Sequence, residues 1–294
     1  MKKNKNGIIT AIIVYLGLIL GIFVLVGGST SQRNPQDTNE ELEYEKEFSK
    51  YKERILNKHG INIHIYDDER IPGTENRSFK WVNIDDKLIE FLEKMEEALL
   101  RYPENMIKNE IRSNSQSEIK KMDIYLVTDI HGEGMSYEGF TVRTEKNREI
   151  MFLDINVDKV EYTLAHEMFH IIEKKGIAET TLYFNKVFTG YRWEENNPPG
   201  FVYSEEKMKD NKEHLTGDLE DIYFVSSYAK TSRSEDMAEV FGMMMSYEED
   251  NVPDSFYSPH VINKMKFISE FLEENYESAT DEAHWNRWLN SVDK

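Results

Sequence analysis

Two histidines four residues apart, with a glutamate directly after the first, have the residue types and the spacing of a catalytic metal site. They are His166, Glu167 and His170, in the stretch TLAHEMFHIIEKKG over residues 163–176. On a helix, side chains at positions i and i+4 lie one above the other, so both imidazoles can reach one ion. Glu167 is rotated by about 100° from His166, which places it beside the ion as a base for a water molecule. The pattern H-E-x-x-H predicts half of a catalytic zinc site, against the alternative of two histidines that only form hydrogen bonds.

A catalytic zinc ion needs a third protein ligand and one open position, and the third ligand must come from another element. The stretch SSYAKTSRSEDMAEVFGMMM, residues 226–245, predicts a helix that begins at Glu235 with Ser234 as its N-cap. Glu235 and Glu239 are four residues apart and therefore share a face of this helix. One carboxylate can bind zinc while the other accepts the N–H of a ligating histidine. The alternative is two solvated glutamates on an acidic protein.

These two blocks resemble the zinc metalloprotease domain of anthrax lethal factor and the related secreted Pro-Pro endopeptidases. That family has H-E-x-x-H, then a tyrosine, six intervening residues, a glutamate ligand and a second glutamate four residues further on. This chain has Tyr228, Glu235 after six residues, and EDMAEVF ending at Phe241. The resemblance implies a mostly helical, zincin-like domain with a small sheet beside the histidine helix. It assigns one zinc ion to His166, His170 and Glu235, the base to Glu167, an oxyanion-binding phenol to Tyr228, and a second-sphere role to Glu239.

Hydrophobic periodicity predicts the elements that position these residues. Short strands precede the histidine helix and mostly helices follow it, which favours an α+β domain over residues 58–294. Strands are predicted at 61–66 and 123–128, with a hairpin over 139–155. Helices are predicted at 84–102, from Asp158 to Gly176, and at 177–188, 234–249, 259–275 and 282–291. The segment EIMFLDI, residues 149–155, is a candidate sheet edge to which an extended substrate could add, although an ordinary buried strand is as compatible with its sequence.

The N-terminal part of the chain predicts a membrane segment. Residues 1–6 are a basic tail, and residues 7–28 carry no charged side chain. A helix of that length is about 33 Å long, enough to cross a hydrocarbon core of about 30 Å. An uncleaved anchor is favoured over a cleaved signal peptide because the apolar run is long. A tether and a charged helix follow over residues 29–57, and the positive-inside rule places everything after the span outside the cytoplasm.

The composition limits the possible partners and chemistry. The formal net charge is −19 among 294 residues, which argues against nucleic acid as a partner. The chain has no cysteine, so thiol nucleophiles, cysteine metal ligands and disulfides are all excluded. The sequence therefore predicts an extracellular zinc endopeptidase, anchored or secreted, that acts on a peptide or protein substrate. The alternatives are a surface-tethered, zinc-containing binding module without activity, and a metal-independent interaction protein with an accidental motif.

Overall fold

The computed structural model describes residues 35–67, 71–111, 121–132, 134–143, 148–183, 191–209, 214–247 and 252–292. The predicted membrane segment, residues 7–28, and the basic tail lie outside the described residues. Within the ranges given above, no helix is both long enough and apolar enough to span a bilayer.

The strands all lie in the first half of the described chain, together with two of the α-helices, and the other helices follow them. The α-helices are α1 (Pro35–His59), α2 (Asp86–Leu99), α3 (Val160–Tyr183), α4 (Tyr191–Glu194), α5 (Arg233–Ser246), α6 (Pro259–Asn275) and α7 (Arg287–Val292). The strands are β1 (Ile61–His64), β2 (Arg77–Trp81), β3 (Lys121–Gly132), β4 (Met135–Ser136), β5 (Gly139–Arg143) and β6 (Arg148–Asp154). Short helical turns lie at Met106–Ile111, Glu205–Lys209, Leu219–Asp221, Tyr228–Lys230, Asp254–Tyr257 and His284–Asn286. The fold is therefore a mixed α/β arrangement, as the pattern of the sequence predicts.

The sheet is mixed and is built around the long strand β3. Strands β1 and β6 run parallel to β3, while β2 and β4 pair with its C-terminal part in the antiparallel sense. Strand β5 pairs antiparallel with β6, so the strand order along the main path is β1-β3-β6-β5. This hairpin of β5 and β6 confirms the hairpin predicted over residues 139–155.

The sheet packs against helices on one face, because alternate residues of each strand point to the same side. Ile124 of β3 and Leu153 of β6 lie in the main core together with Phe169 of α3 and Phe241 of α5. Their neighbours on the opposite face form a second, smaller core that contains Tyr125, Val127, Phe140, Ile150 and Phe152. The histidine helix α3 is thus sandwiched between the sheet and the later helices.

Of the two interpretations of residues 149–155, the buried strand is confirmed and the substrate-binding edge is wrong. Strand β6 lies between β3 and β5, and both of its sides are paired. Met151 and Leu153 are almost completely inaccessible to solvent. The antiparallel partner β5 covers β6, so the edge strand beside the histidine helix is β5 and not β6.

Helices α3 and α5 also differ from the prediction, and the separate helix predicted at 177–188 is wrong because residues 177–183 belong to α3. Helix α3 continues through Gly176 to Tyr183, because a glycine inside a helix costs about 1 kcal/mol but does not oblige the helix to end. Helix α5 begins at Arg233, and its N-cap is Ser232 rather than Ser234. Ser232 has an extended backbone, and its hydroxyl accepts the N–H of Glu235 at 3.1 Å. The side chain of Ser234 is therefore released for other contacts.

A buried ion pair fixes α5 against α6. Lys264 Nζ lies 2.7 Å from Asp236 Oδ2, and both side chains are fully buried. The same carboxylate oxygen accepts the indole N–H of Trp193 at 2.9 Å and the hydroxyl of Tyr203 at 2.8 Å. Lys264 also donates to the carbonyl oxygen of Tyr223 at 2.9 Å. A buried ion pair needs such additional hydrogen bonds to offset the loss of hydration, and here they hold α5 in a fixed rotation about its axis.

Candidate metal centre

The two predicted halves of the site meet where α3 crosses α5. The helices approach closely at Gly242, where an added Cβ would lie 3.1 Å from the ring of Tyr162. This proximity brings the histidines of α3 opposite the first turn of α5. His166 and Glu167 are buried, and His170 and Glu235 are half-buried.

His166, His170 and Glu235 form a compact triangle of ligand atoms. The Nε2 atoms of the two histidines are 3.2 Å apart. Glu235 Oε2 lies 3.1 Å from Nε2 of His166 and 3.3 Å from Nε2 of His170. Three donor atoms from two helices therefore converge on one point.

The triangle has the size that a tetrahedral zinc site requires. Ligand distances of about 2.0–2.1 Å imply separations of about 3.3–3.4 Å between the donor atoms of a regular tetrahedron. Two imidazole nitrogens and one carboxylate oxygen are also a ligand set typical of catalytic zinc. Glu235 Oε2 is buried, and no hydrogen bond of acceptable geometry reaches it. Because a buried carboxylate oxygen without a partner is costly, the residues fit a bound cation.

The electrostatics of the cluster also favour a cation. Burial raises the pKa of the Glu235 carboxyl, but the adjacent imidazoles outweigh it and lower the pKa to about 2. Burial lowers the pKa of His166, but Glu235 and Glu239 outweigh it and raise that pKa to about 10. The carboxylates thus create a negative potential at the point where the three ligand atoms meet.

Glu239 holds the other side of the His166 ring. Its Oε1 lies 2.9 Å from Nδ1 of His166, one helical turn from Glu235. The carboxylate of Glu239 also accepts the hydroxyl of Ser226 and interacts with the hydroxyl of Tyr162. A carboxylate on the second ring nitrogen orients a ligating histidine and raises its basicity. The structure therefore places Glu239 behind the ligand triangle, on the Nδ1 side of the His166 ring.

His170 is held in a different way, by a hydroxyl that connects it to a buried carboxylate. Its Nδ1 lies 3.2 Å from Ser234 Oγ, and Ser234 Oγ donates to Glu173 Oε2 at 2.5 Å. Since the hydroxyl proton goes to Glu173, the hydroxyl oxygen is free to accept the Nδ1–H of His170. This arrangement leaves the Nε2 lone pair directed at the triangle.

Removing the hydroxyl of Ser234 should weaken metal binding without removing a ligand. We expect Ser234→Ala to lower zinc affinity about 10- to 100-fold, the usual cost of losing a second-sphere partner. The matched control is Ser269→Ala, which removes a serine hydroxyl that donates to Glu273 Oε1 at 3.1 Å on α6 and should leave zinc affinity unchanged. Competition with a chromogenic chelator measures the affinity. Equal affinities for Ser234→Ala and wild type would contradict the role of Ser234.

Glu167 lies beside the triangle, as its position on the helix predicts. It is 6% exposed, and its Oε2 has no hydrogen-bond partner. Burial raises the pKa of the Glu167 carboxyl above its usual range. Gly139 of β5 lies against it: a Cβ added there would be 2.9 Å from Glu167 Cγ. Only a glycine leaves room at this point for the side chain of Glu167.

Tyr228 lies over the His166 ring, with ring centroids 6.0 Å apart. It begins the helical turn Tyr228–Lys230, just before α5. Burial and the nearby carboxylates of Glu235, Glu167 and Glu239 raise the pKa of the Tyr228 hydroxyl. The phenol therefore stays protonated at neutral pH and can donate a hydrogen bond. His166, Glu167 and Tyr228 all line a common cavity of about 500 Å³.

Several residues of the site are absent from the sequence predictions. The sequence predicts Ser234 only as an N-cap, and it does not identify Glu173, Ser226, Tyr162 or Gly139 as part of the site. The position of Glu173, three residues after His170, was the only local signal, because residues three apart share a helix face. The other contacts join elements that are distant in the sequence.

Comparison with known proteins gives few matches. No protein-family model matches the chain, and no curated protein matches it. One solved structure that resembles it is a protein from Bacteroides caccae named as a "putative zinc-binding metallo-peptidase". The match has 16% sequence identity and a TM-score of 0.49, and it covers 85% of this chain and 92% of that chain.

Proposed function

We propose that this protein is a zinc-dependent endopeptidase. The observation that supports the proposal is the triangle of His166 Nε2, His170 Nε2 and Glu235 Oε2, with separations of 3.1–3.3 Å, beside a cavity that Glu167 also lines. A purely structural zinc site is closed by four protein ligands. Here three ligand atoms converge, and a cavity next to them leaves room for water and a peptide.

The residues divide into those that hold the ion and those that act on substrate. His166, His170 and Glu235 would hold zinc, which when bound activates water and polarises a carbonyl group. Glu167 takes the proton from the attacking water and delivers it to the leaving amine, since its unpartnered carboxylate oxygen is buried beside the ligands. Tyr228 donates its phenolic proton to the oxyanion that develops on the scissile carbonyl.

The finer assignments rest on the sequence. The order of Tyr228, Glu235 and Glu239 after the histidine motif supports membership of the lethal factor and Pro-Pro endopeptidase group, with its zincin-like fold. The uncharged segment at residues 7–28 supports a location at the outer face of the membrane, or outside the cell if the segment is cleaved.

Peptide hydrolysis tests the proposal directly. We expect the full-length, zinc-loaded protein to cleave internal bonds in a diverse peptide library, with products identified by mass spectrometry. A chelator should abolish cleavage, and zinc added back should restore it. A zinc-loaded protein that cleaves no peptide would instead support the inactive, surface-tethered binding module.

A further inference from the structure

The cavity beside the ligand triangle combines an apolar lining with one uncommitted carboxylate. Its wall includes Met135, Met208 and the rings of Tyr137, Tyr162 and Tyr228. Three glutamates also line it, and no lysine or arginine does so among the described residues. The cavity is therefore suited to a side chain that is apolar along its length and positively charged at its end.

Two of the three glutamates are already engaged at the metal centre. Glu239 contacts His166 and accepts the hydroxyl of Ser226, and Glu167 lies buried beside the ligands. Glu138 is different, because it is exposed and belongs to the segment between β4 and β5. It is the lining carboxylate that remains available to a bound molecule.

Glu138 is held in place but is not neutralised. Its Oε2 accepts the hydroxyl of Thr163 at 2.8 Å, and Thr163 is only 4% exposed. Thr163 lies on α3, four residues before Glu167, so the two side chains share a face of the helix. In the described part of the chain, no lysine or arginine forms an ion pair with Glu138. A carboxylate without a lysine or arginine partner among the described residues is thus anchored to α3 at Thr163, one helical turn before the base.

We propose that this cavity binds a lysine or arginine side chain of the substrate, at a position that flanks the scissile bond. The proposal rests on the endopeptidase function proposed above. The methylene groups of such a side chain would lie along the two methionines and the tyrosine rings, as long basic side chains commonly cover apolar surface. The charged end would pair with Glu138 and gain a cation–π contribution from the rings.

A set of matched peptides tests this assignment. The peptides share one cleaved sequence and carry lysine, norleucine or glutamate at each flanking position in turn. Norleucine keeps the hydrocarbon chain of lysine and removes the charge. We expect lysine to exceed norleucine in kcat/KM by about 2- to 5-fold at one flanking position, the range of an ion pair with an exposed carboxylate. Glu138→Gln should remove most of this preference, and Glu138→Lys should shift it toward glutamate.

The control variant is Glu161→Gln. It also removes one negative charge, but from a residue of α3 that does not line the cavity. It should keep the preference for lysine. Binding of the same peptides to the zinc-loaded Glu167→Gln protein, measured by calorimetry, gives a second readout that does not depend on turnover. Cleavage of the lysine and norleucine peptides at equal rates by wild type would overturn the cavity assignment and leave the peptidase intact. Tighter binding of lysine peptides without any cleavage would support the cavity assignment and reject the peptidase.

Discussion

The Glu167→Gln variant should retain its zinc and lose peptide hydrolysis by a factor of about 10²–10⁴, the usual contribution of a general base. Glutamine has nearly the same shape as glutamate, so it fits the space that Gly139 leaves beside the helix. The glutamine amide cannot accept the proton of a water molecule. In the wild type, Glu167 Oε2 has no hydrogen-bond partner within the protein and is therefore available for that proton. Elemental analysis measures the zinc content, and a fluorogenic peptide measures kcat/KM.

The matched control is again Glu161→Gln, which should hydrolyse peptide at the wild-type rate. If Glu167→Gln turned over as fast as wild type, Glu167 would not be the base, and another group in the cavity would have to take the proton. If the variant lost its zinc, Glu167 would belong among the ligands, contrary to its position beside the triangle.

The Glu235→Ala variant should lose zinc and activity together. It leaves two imidazoles, which hold the ion far less tightly than three ligands, so the affinity should fall by more than the ~10–100-fold typical of a second-sphere change. Activity should fall in parallel with zinc occupancy across a titration of added metal. Isothermal titration gives the affinity, and elemental analysis after dialysis gives the occupancy.

The zinc affinity of Glu239→Ala should be compared with that of Glu235→Ala. Both variants remove a carboxylate from the same face of α5, but only Glu235 offers an oxygen atom to the triangle. Glu239→Ala should therefore lose less affinity than Glu235→Ala. If Glu239→Ala lost more zinc affinity than Glu235→Ala, Glu239 would be the ligand and Glu235 the residue that supports it.

Helical spacing predicts which side chains of the candidate site share a helix face. His166 and His170 had to share a helix face wherever the helix lay, and the same holds for Glu235 and Glu239. The predicted pairing of the two halves is also present in the structure, because the two helix faces are otherwise apolar and pack against each other. The choice of Glu235 as the residue in the triangle came from the family resemblance rather than from the helical pattern.

Strand order and second-sphere contacts could not be read from the sequence in this way. Whether β6 or β5 forms the edge depends on which strands pair, and pairing joins residues far apart in the chain. The role of Ser234 was missed for a related reason. Ser232 and Ser234 are both reasonable N-caps, and the contact of Ser234 with Glu173 joins two helices that are distant in the sequence.

Glu235 and Asp236 are neighbours in the sequence, yet one faces the ligand triangle and the other pairs with buried Lys264. Each residue of a helix is rotated by about 100° from the one before it. One residue inserted just after the Ser232 cap would move both carboxylates away from their partners in a single step. Substitutions on the outer face of this helix would leave both contacts in place. An inserted or deleted residue would instead turn Glu235 away from the triangle and separate Asp236 from the buried ammonium group of Lys264. We therefore expect an insertion or deletion between Ser232 and Glu239 to disrupt the site, whereas substitutions on the outer face of the helix should be tolerated.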